Sequence, residues 1–290
     1  MFVQVETKDP HAVEREVRSI YLNCFPGGTV DFVPQAFRWA SDCFIGKYAD
    51  YQSIDARYHD FEHTLQGTLC LARLLGCRHK VCALPVVSPR MFELGLLAIL
   101  FHDSGYLKKR TDTFGTGAKY TPVHVKRSAE FAKDFLEQQG LTEEETAPIQ
   151  NMIKCTGVNA DLKTIPFGSE VEMVLGYALG TADLLGQMAA KDYVDKLPIL
   201  YQEFSESARF NPGMATNFEA FTSDEDLMQK TILFWEGYVK RKINLDFQQL
   251  YKFLADPYPD GPNWYLYWIE ANMNRLRRLY FDTTEAAEQG

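Results

Sequence analysis

A chain of 290 residues, 46% hydrophobic and 24% charged, carries enough apolar content to bury a substantial core. Its formal charge of −9 opposes binding to a nucleic-acid duplex or to an anionic membrane surface, since either would repel it on average. The opening MFVQVETKDPHAVERE is acidic and has no apolar stretch of signal-peptide length. The longest apolar run, near residues 91–101, contains Glu93 and is too short to span a bilayer, so a cytoplasmic protein is expected.

Apolar residues recur at helical spacing through most of the sequence and period-two runs are scarce. The pattern predicts helices over about 11–23, 33–48, 61–75, 89–101, 122–139, 143–155, 169–190, 195–207, 223–254 and 263–280. Pro89 and Pro122 suit first turns, and Thr142 followed by Glu145 reads as a capping box. FPGGT, NPG and DPYPDGPN break the helices, and nothing reads as a linker or a repeat. The expectation is all-α: one compact multi-helix bundle over 1–290, with end helices packed on a central catalytic bundle. The last six residues are expected to fray. Cys24, Cys43, Cys70, Cys77, Cys82 and Cys155 form no CxxC pair and are expected to be reduced, mostly in the core.

Three features stand out because burial should exclude them. In VEMVLGYALGTADLLGQMAA, apolar residues run almost all round the helix, yet Asp183 sits in its middle. An ionised carboxylate removed from water costs several kcal/mol unless it is compensated, by an arginine, a hydrogen-bond network or a cation. FELGLLAILF runs directly into His102–Asp103, and Ser104–Gly105 then ends the helix, so imidazole and carboxylate enter one cavity. Together they suit a divalent metal. In YHDFEH, His59 and His63 are four apart and would share a helix face. Each feature alone has a bland explanation as a cap, a solvated group or a satisfied core residue. The order His, His-Asp, Asp on three buried helices is much harder to reach by accident.

That ordered set, His63 … His102–Asp103 … Asp183, resembles the HD-domain metal-dependent phosphohydrolases, and most closely the branch of the cyclic-nucleotide phosphodiesterase catalytic domains. The resemblance covers roughly residues 58–187 and rests on Tyr58–His59–Asp60 before His63, on LLAILFHD, on MIKCT ending at Thr156, and on Ala182–Asp183. It implies that His63, His102, Asp103 and Asp183 bind one metal, that Asp103 bridges to any second one, and that His59 protonates the leaving oxygen. The motif core then spans about 58–190. His124 resembles a further histidine near a second metal. Tyr106 stands where the phosphodiesterases have another histidine, and Cys155 or Thr156 stands near a later histidine that is absent. Gln202 with Phe204, and Gln229 with Phe234, are loose counterparts of a purine clamp.

The expected activity is therefore hydrolysis of a phosphomonoester or phosphodiester of a small nucleotide-like molecule, using one or two divalent ions (Mn, Mg, Zn, Fe, Co or Ni). Asp103 and His59 are the expected catalytic residues. Tyr58, Lys108, Lys126, Arg127 and Thr156 are the expected substrate contacts. Between Ser104 and Ser128, six basic residues, among them Lys109, Arg110 and Lys119, face only Asp112. They would draw a phosphate toward the site or simply form a solvated loop. TFGTGAK reads as a flexible flap over the site. Two other classes are open: an HD-type di-iron oxygenase, which the absent later histidine disfavours, and a metal-binding sensor without turnover. The chain is expected to be a monomer or homodimer without membrane or nucleic-acid partners.

Overall fold

The computed structural model describes residues 2–213 and 221–280. Among the described residues, ten α-helices carry the fold: α1 (Pro10–Cys24), α2 (Phe32–Phe44), α3 (Phe61–Lys80), α4 (Pro89–Phe101), α5 (His124–Gln138), α6 (Glu143–Ile153), α7 (Glu170–Met188), α8 (Tyr193–Phe210), α9 (Asp224–Leu233) and α10 (Trp264–Tyr280). Among the described residues there is no strand, only the isolated bridges Tyr51–Lys109 and Ala255–Asn263. The protein is all-helical. None of its described helices is long and apolar enough to cross a membrane. All six cysteines are free, and Cys24, Cys43, Cys70 and Cys155 are buried.

Local chemistry fixes most helix starts. Asp9, Asp60, Ser88, Ser169 and Ser223 each accept a backbone N–H of the first turn that follows, and Glu145 reaches back to the Thr142 N–H at 3.0 Å. Pro122 does not open α5. It lies in the turn after Thr121, and the helix begins at His124. α2 stops at Phe44 rather than near residue 48, because Gly46 takes a left-handed backbone (φ 76°). α3 runs past residue 75 to Lys80, with Arg78, His79 and Lys80 at its negative end.

The largest departure is the expected helix over 223–254. After α9 the chain continues in wide π turns over Phe234–Val239 and Lys242–Asp246, passes Gln248 and Gln249 with left-handed backbone (φ 53° and 61°), and ends in a 3-10 turn at Leu250–Leu254. Trp235, Val239, Ile243 and Phe247 are all buried and spaced by four. In an α-helix of about 3.6 residues per turn, a spacing of four drifts by ~40° per step. The wider turns keep these side chains on one face. The final six residues, expected to fray, lie outside the described residues.

Helices α3, α4 and α7 form the centre. Every residue from Phe92 to Phe101 in α4 is buried, and α4 packs on α2, α3, α6 and α7. α1 packs on α3, while α10 covers α7 and α9. From α10, Tyr265, Ile269, Met273 and Leu276 enter the core, while Tyr267, Trp268 and Leu279 stay exposed. The α3–α7 contact is close enough to need glycine. A Cβ on Gly186 would lie 2.7 Å from the Gln66 carbonyl oxygen and 2.8 Å from the Gly67 nitrogen. Backbones touch here because neither helix carries a side chain at the crossing. The crossing lies one turn from His63 on α3 and one turn from Asp183 on α7.

Candidate metal centre

Four side chains from three places in the chain converge beside that crossing. His63 comes from the first turn of α3, where the Asp60 carboxylate accepts its backbone N–H at 2.9 Å. His102 is the C-cap of α4, and Asp103 follows before the 3-10 turn Ser104–Tyr106. Asp183 comes from mid-α7. His63, His102 and Asp103 are buried and place ligand atoms within 4.8 Å of one another. Asp183 closes the ring from the other side: its Oδ1 is 3.3 Å from both His63 Nε2 and His102 Nε2, while Asp103 Oδ2 is 3.2 Å and 3.3 Å from the same two nitrogens. Nitrogen and oxygen alternate around the four edges.

These spacings suit an ion. Ligand atoms at ~2.0–2.2 Å from a common cation stand about 3 to 3.5 Å apart, at angles between the octahedral and tetrahedral values. They do not suit hydrogen bonds, since His102 Nε2 and Asp103 Oδ2 are buried without a hydrogen-bond partner. Such orphaned polar atoms are costly unless something sits between them. The tautomer is set as well. His102 Nδ1 lies 2.7 Å from the Ile99 carbonyl, which can only accept, so Nδ1 carries the proton and the Nε2 lone pair faces the cluster.

Charge completes the fit. Burial would raise the Asp103 carboxyl, but His102 and His63 outweigh it and hold it well below the ordinary range; Asp183 is depressed against the same opposition, again by His102 and His63. Burial would lower His63, but Asp103 and Asp183 push it up to about 10, and they raise His102 too. In the protein alone, the His63 imidazole, pushed up to about 10, sets positive charge against the two carboxylates. A dication does the same work with the imidazoles neutral.

A cavity of about 330 Å³ opens on this cluster and reaches His59, Tyr106 and His124. His59 does not share a helix with His63, because α3 starts only at Phe61 with Asp60 as its cap. Their rings nevertheless lie 5.4 Å apart. His59 Nδ1 is 2.6 Å from Glu203 Oε2, and Glu203 Oε1 accepts the Tyr58 N–H at 2.7 Å. Burial raises the Glu203 carboxyl but His59 and backbone N–H groups bring it below its ordinary value, so it is a pure acceptor. His59 Nδ1 therefore donates, and Nε2 is left to the cavity.

His124 Nε2 stands 3.9 Å from Asp103 Oδ1, and its Nδ1 is held by the Thr121 carbonyl at 2.6 Å. Burial lowers its basicity. A Cβ on Gly105 would press on the Ser128 nitrogen at 2.8 Å and on the His124 carbonyl more closely still, so glycine after Asp103 is what lets α5 approach. The buried Tyr106 ring lies nearly parallel to His59 (4.5 Å, 16°) and to His124 (4.7 Å, 20°), whose rings are 6.2 Å apart. A sandwich would separate the imidazoles by nearly twice the stacking distance. Both therefore rest side by side on one face of Tyr106.

Of the expected substrate contacts, Tyr58 and Thr156 line the cavity and the basic residues do not. Lys108 is buried and spends its ammonium on Asp55 (2.8 Å) and the Gly115 carbonyl (2.5 Å). Arg127 donates to the Gly105 and Leu107 carbonyls and covers the Tyr120 ring at 3.6 Å. Lys126 is exposed beside Glu130. The basic stretch thus bolts the His-Asp turn to its surroundings. The expected flap is tied down too: the Thr116 hydroxyl donates to Glu206 at 2.7 Å and the Gly117 N–H to Asp55 at 2.7 Å, and none of residues 113–119 lines the cavity.

Sequence reasoning missed Glu203 and Gln187. Gln187 accepts the Tyr58 hydroxyl at 2.8 Å and donates to the Asp183 carbonyl at 3.1 Å. A signal for Glu203 existed, since it falls on the helical stripe of Leu200 and Ser207. Among known proteins, a family model described as Npun_R2479-like matches residues 11–252. No curated protein matches the sequence.

Proposed function

We propose that this chain, which belongs to the Npun_R2479-like family, is a metal-dependent hydrolase of a small phosphoester. The observation that carries the reading is the pair of buried, partnerless atoms His102 Nε2 and Asp103 Oδ2, aimed with His63 and Asp183 at one point. The likeness of the motif order to the HD-domain phosphohydrolases supports the same reading.

His63, His102, Asp103 and Asp183 would hold the ion. A divalent cation bound there supplies Lewis acidity toward phosphoryl oxygen and a water acidic enough to attack near neutral pH. The chain's own residues do the rest. Glu203 fixes the His59 ring through Nδ1, so a proton carried at Nε2 points into the cavity and can pass to the departing alkoxide. Tyr106 sets the plane of that ring from below. Among the described residues, Asp103 Oδ1 and His124 Nε2 are 3.9 Å apart beside the cluster and form no second group of three ligands, so the reading is of one firmly held ion.

The test is a panel of phosphomonoesters and phosphodiesters given to the metal-loaded protein and to His59→Ala. The reading expects turnover by the wild type, and a variant that keeps its metal but loses rate, most for poor leaving groups. A wild type that holds metal and consumes oxygen without cleaving any ester would overturn it.

A further inference from the structure

We infer that the apolar wall of the cavity that opens on the metal cluster is a subsite for an apolar group esterified to the phosphate, an inference that rests on the hydrolase reading of the metal end. Leu184 of α7, Leu200 and Phe204 of α8, Phe221, Leu227 of α9 and Phe234 form this wall. Leu184, Leu200, Phe204 and Phe234 are only half-buried, although they sit among core helices, because the cavity is what they face. The wall and the metal cluster line one continuous space, so a phosphate held at the cluster directs its substituent onto it.

Two absences define what that substituent is. The first is charge. Among the described residues lining the cavity, Lys230 is the one lysine or arginine, and its ammonium is engaged with Asp226 at 2.9 Å. That ammonium also lies over the Phe221 ring at 5.6 Å, and a polyphosphate would bring in several anions against this one engaged cation, an excess of charge that is expensive out of water. The second is hydrogen-bonding capacity on the wall itself, whose six side chains carry no polar atom; the Tyr106 hydroxyl, buried without a partner, and Asn159 line the same cavity but are not part of that wall. The hydroxyls of Thr121, Thr156 and Thr231 donate to the Ala118, Ile153 and Leu227 carbonyls of their own turns. The Tyr58 hydroxyl is spent on Gln187, whose amide is spent on Asp183. A nucleobase laid against the wall would find no partner there for its polar edges, whereas an alkyl or aryl group loses nothing. At about 330 Å³, the cavity holds one small organic phosphate. The substrate class is a phosphate ester of an apolar alcohol, carrying one phosphate.

The experiment titrates n-alkyl phosphonates from butyl to octyl, and adenosine monophosphate, into the full chain loaded with Mn²⁺, using calorimetry. Affinity is expected to rise roughly threefold to fourfold per methylene until the wall is covered, as buried CH₂ groups should. Octyl phosphonate should bind more tightly than adenosine monophosphate. Leu200→Gln should flatten the series while metal content stays unchanged. Phe234→Ala, which removes bulk without adding polarity, serves if Leu200→Gln does not fold. Affinity independent of chain length, or tighter binding of the nucleotide, overturns the inference. If the protein holds no metal, the hydrolase reading falls on its own. The same series run with n-alkanols then reads the wall alone: binding that strengthens with chain length supports the subsite, and flat binding overturns it.

Discussion

Glu203 grips the segment before α3 at two points, with Oε2 2.6 Å from His59 Nδ1 and Oε1 2.7 Å from the Tyr58 nitrogen. One carboxylate from α8 thus fixes both the ring that faces the cavity and the backbone that carries it. Glu203→Gln keeps the shape and removes the charge. It is expected to lower kcat by about 10²-fold, within the usual range for general acid–base catalysis, with metal content unchanged. Esters with p-nitrophenol as leaving group should be hurt less than alkyl esters. Equal losses on both would show that Glu203 only holds the backbone.

Tyr106 carries His59 and His124 side by side on one face. Tyr106→Phe keeps that platform and should retain turnover within severalfold. Tyr106→Leu removes it and should lower kcat at least tenfold while the four-ligand cluster still binds metal. If Leu and Phe behave alike, the ring is packing and nothing more.

The Gly186–Gly67 crossing sets the separation of His63 and Asp183. Gly186→Ala pushes a methyl into the Gln66 carbonyl, a clash with backbone that cannot rotate away. Overpacking of this kind costs about 1–3 kcal/mol. Thermal unfolding should fall by several degrees and metal affinity should drop with it. A variant with wild-type Tm and wild-type metal affinity would mean the helices are not constrained there.

Metal binding should release protons. Burial lowers His63 and the two carboxylates raise it, to about 10 against an ordinary 6.5, so the free protein carries a proton there at neutral pH. A raised imidazole contributes stability that is complete below 6.5 and is lost as pH rises through about 10. Chelated protein should therefore lose Tm steadily from pH 7 to 10, and metal-loaded protein much less. Affinity for Mn²⁺ should rise with pH over the same window, with a binding enthalpy that depends on the buffer's ionisation heat. A buffer-independent enthalpy would contradict the proton exchange.

How much of this was legible follows from what each signal depends on. α4 matches the expected residues 89–101 at both ends because Pro89 and the Ser104–Gly105 break are local signals. Asp183 was visible because a carboxylate in an apolar helix contradicts its surroundings. The π turns after α9 were not visible, since only the packing of Trp235 and Phe247 calls for them. The basic stretch misled for a similar reason. Lys108 and Arg127 look like phosphate ligands until the carbonyls and carboxylate that consume them come into view. Glu203 lies 144 residues from His59, and no local pattern pairs them.

The most direct test of the account is metal content and phosphoester turnover measured on the same preparations of wild type and Asp103→Ala. The account predicts about one divalent ion per wild-type chain with hydrolysis that depends on it, and loss of both ion and hydrolysis in the variant. A folded Asp103→Ala protein that retains its ion and its rate would contradict it.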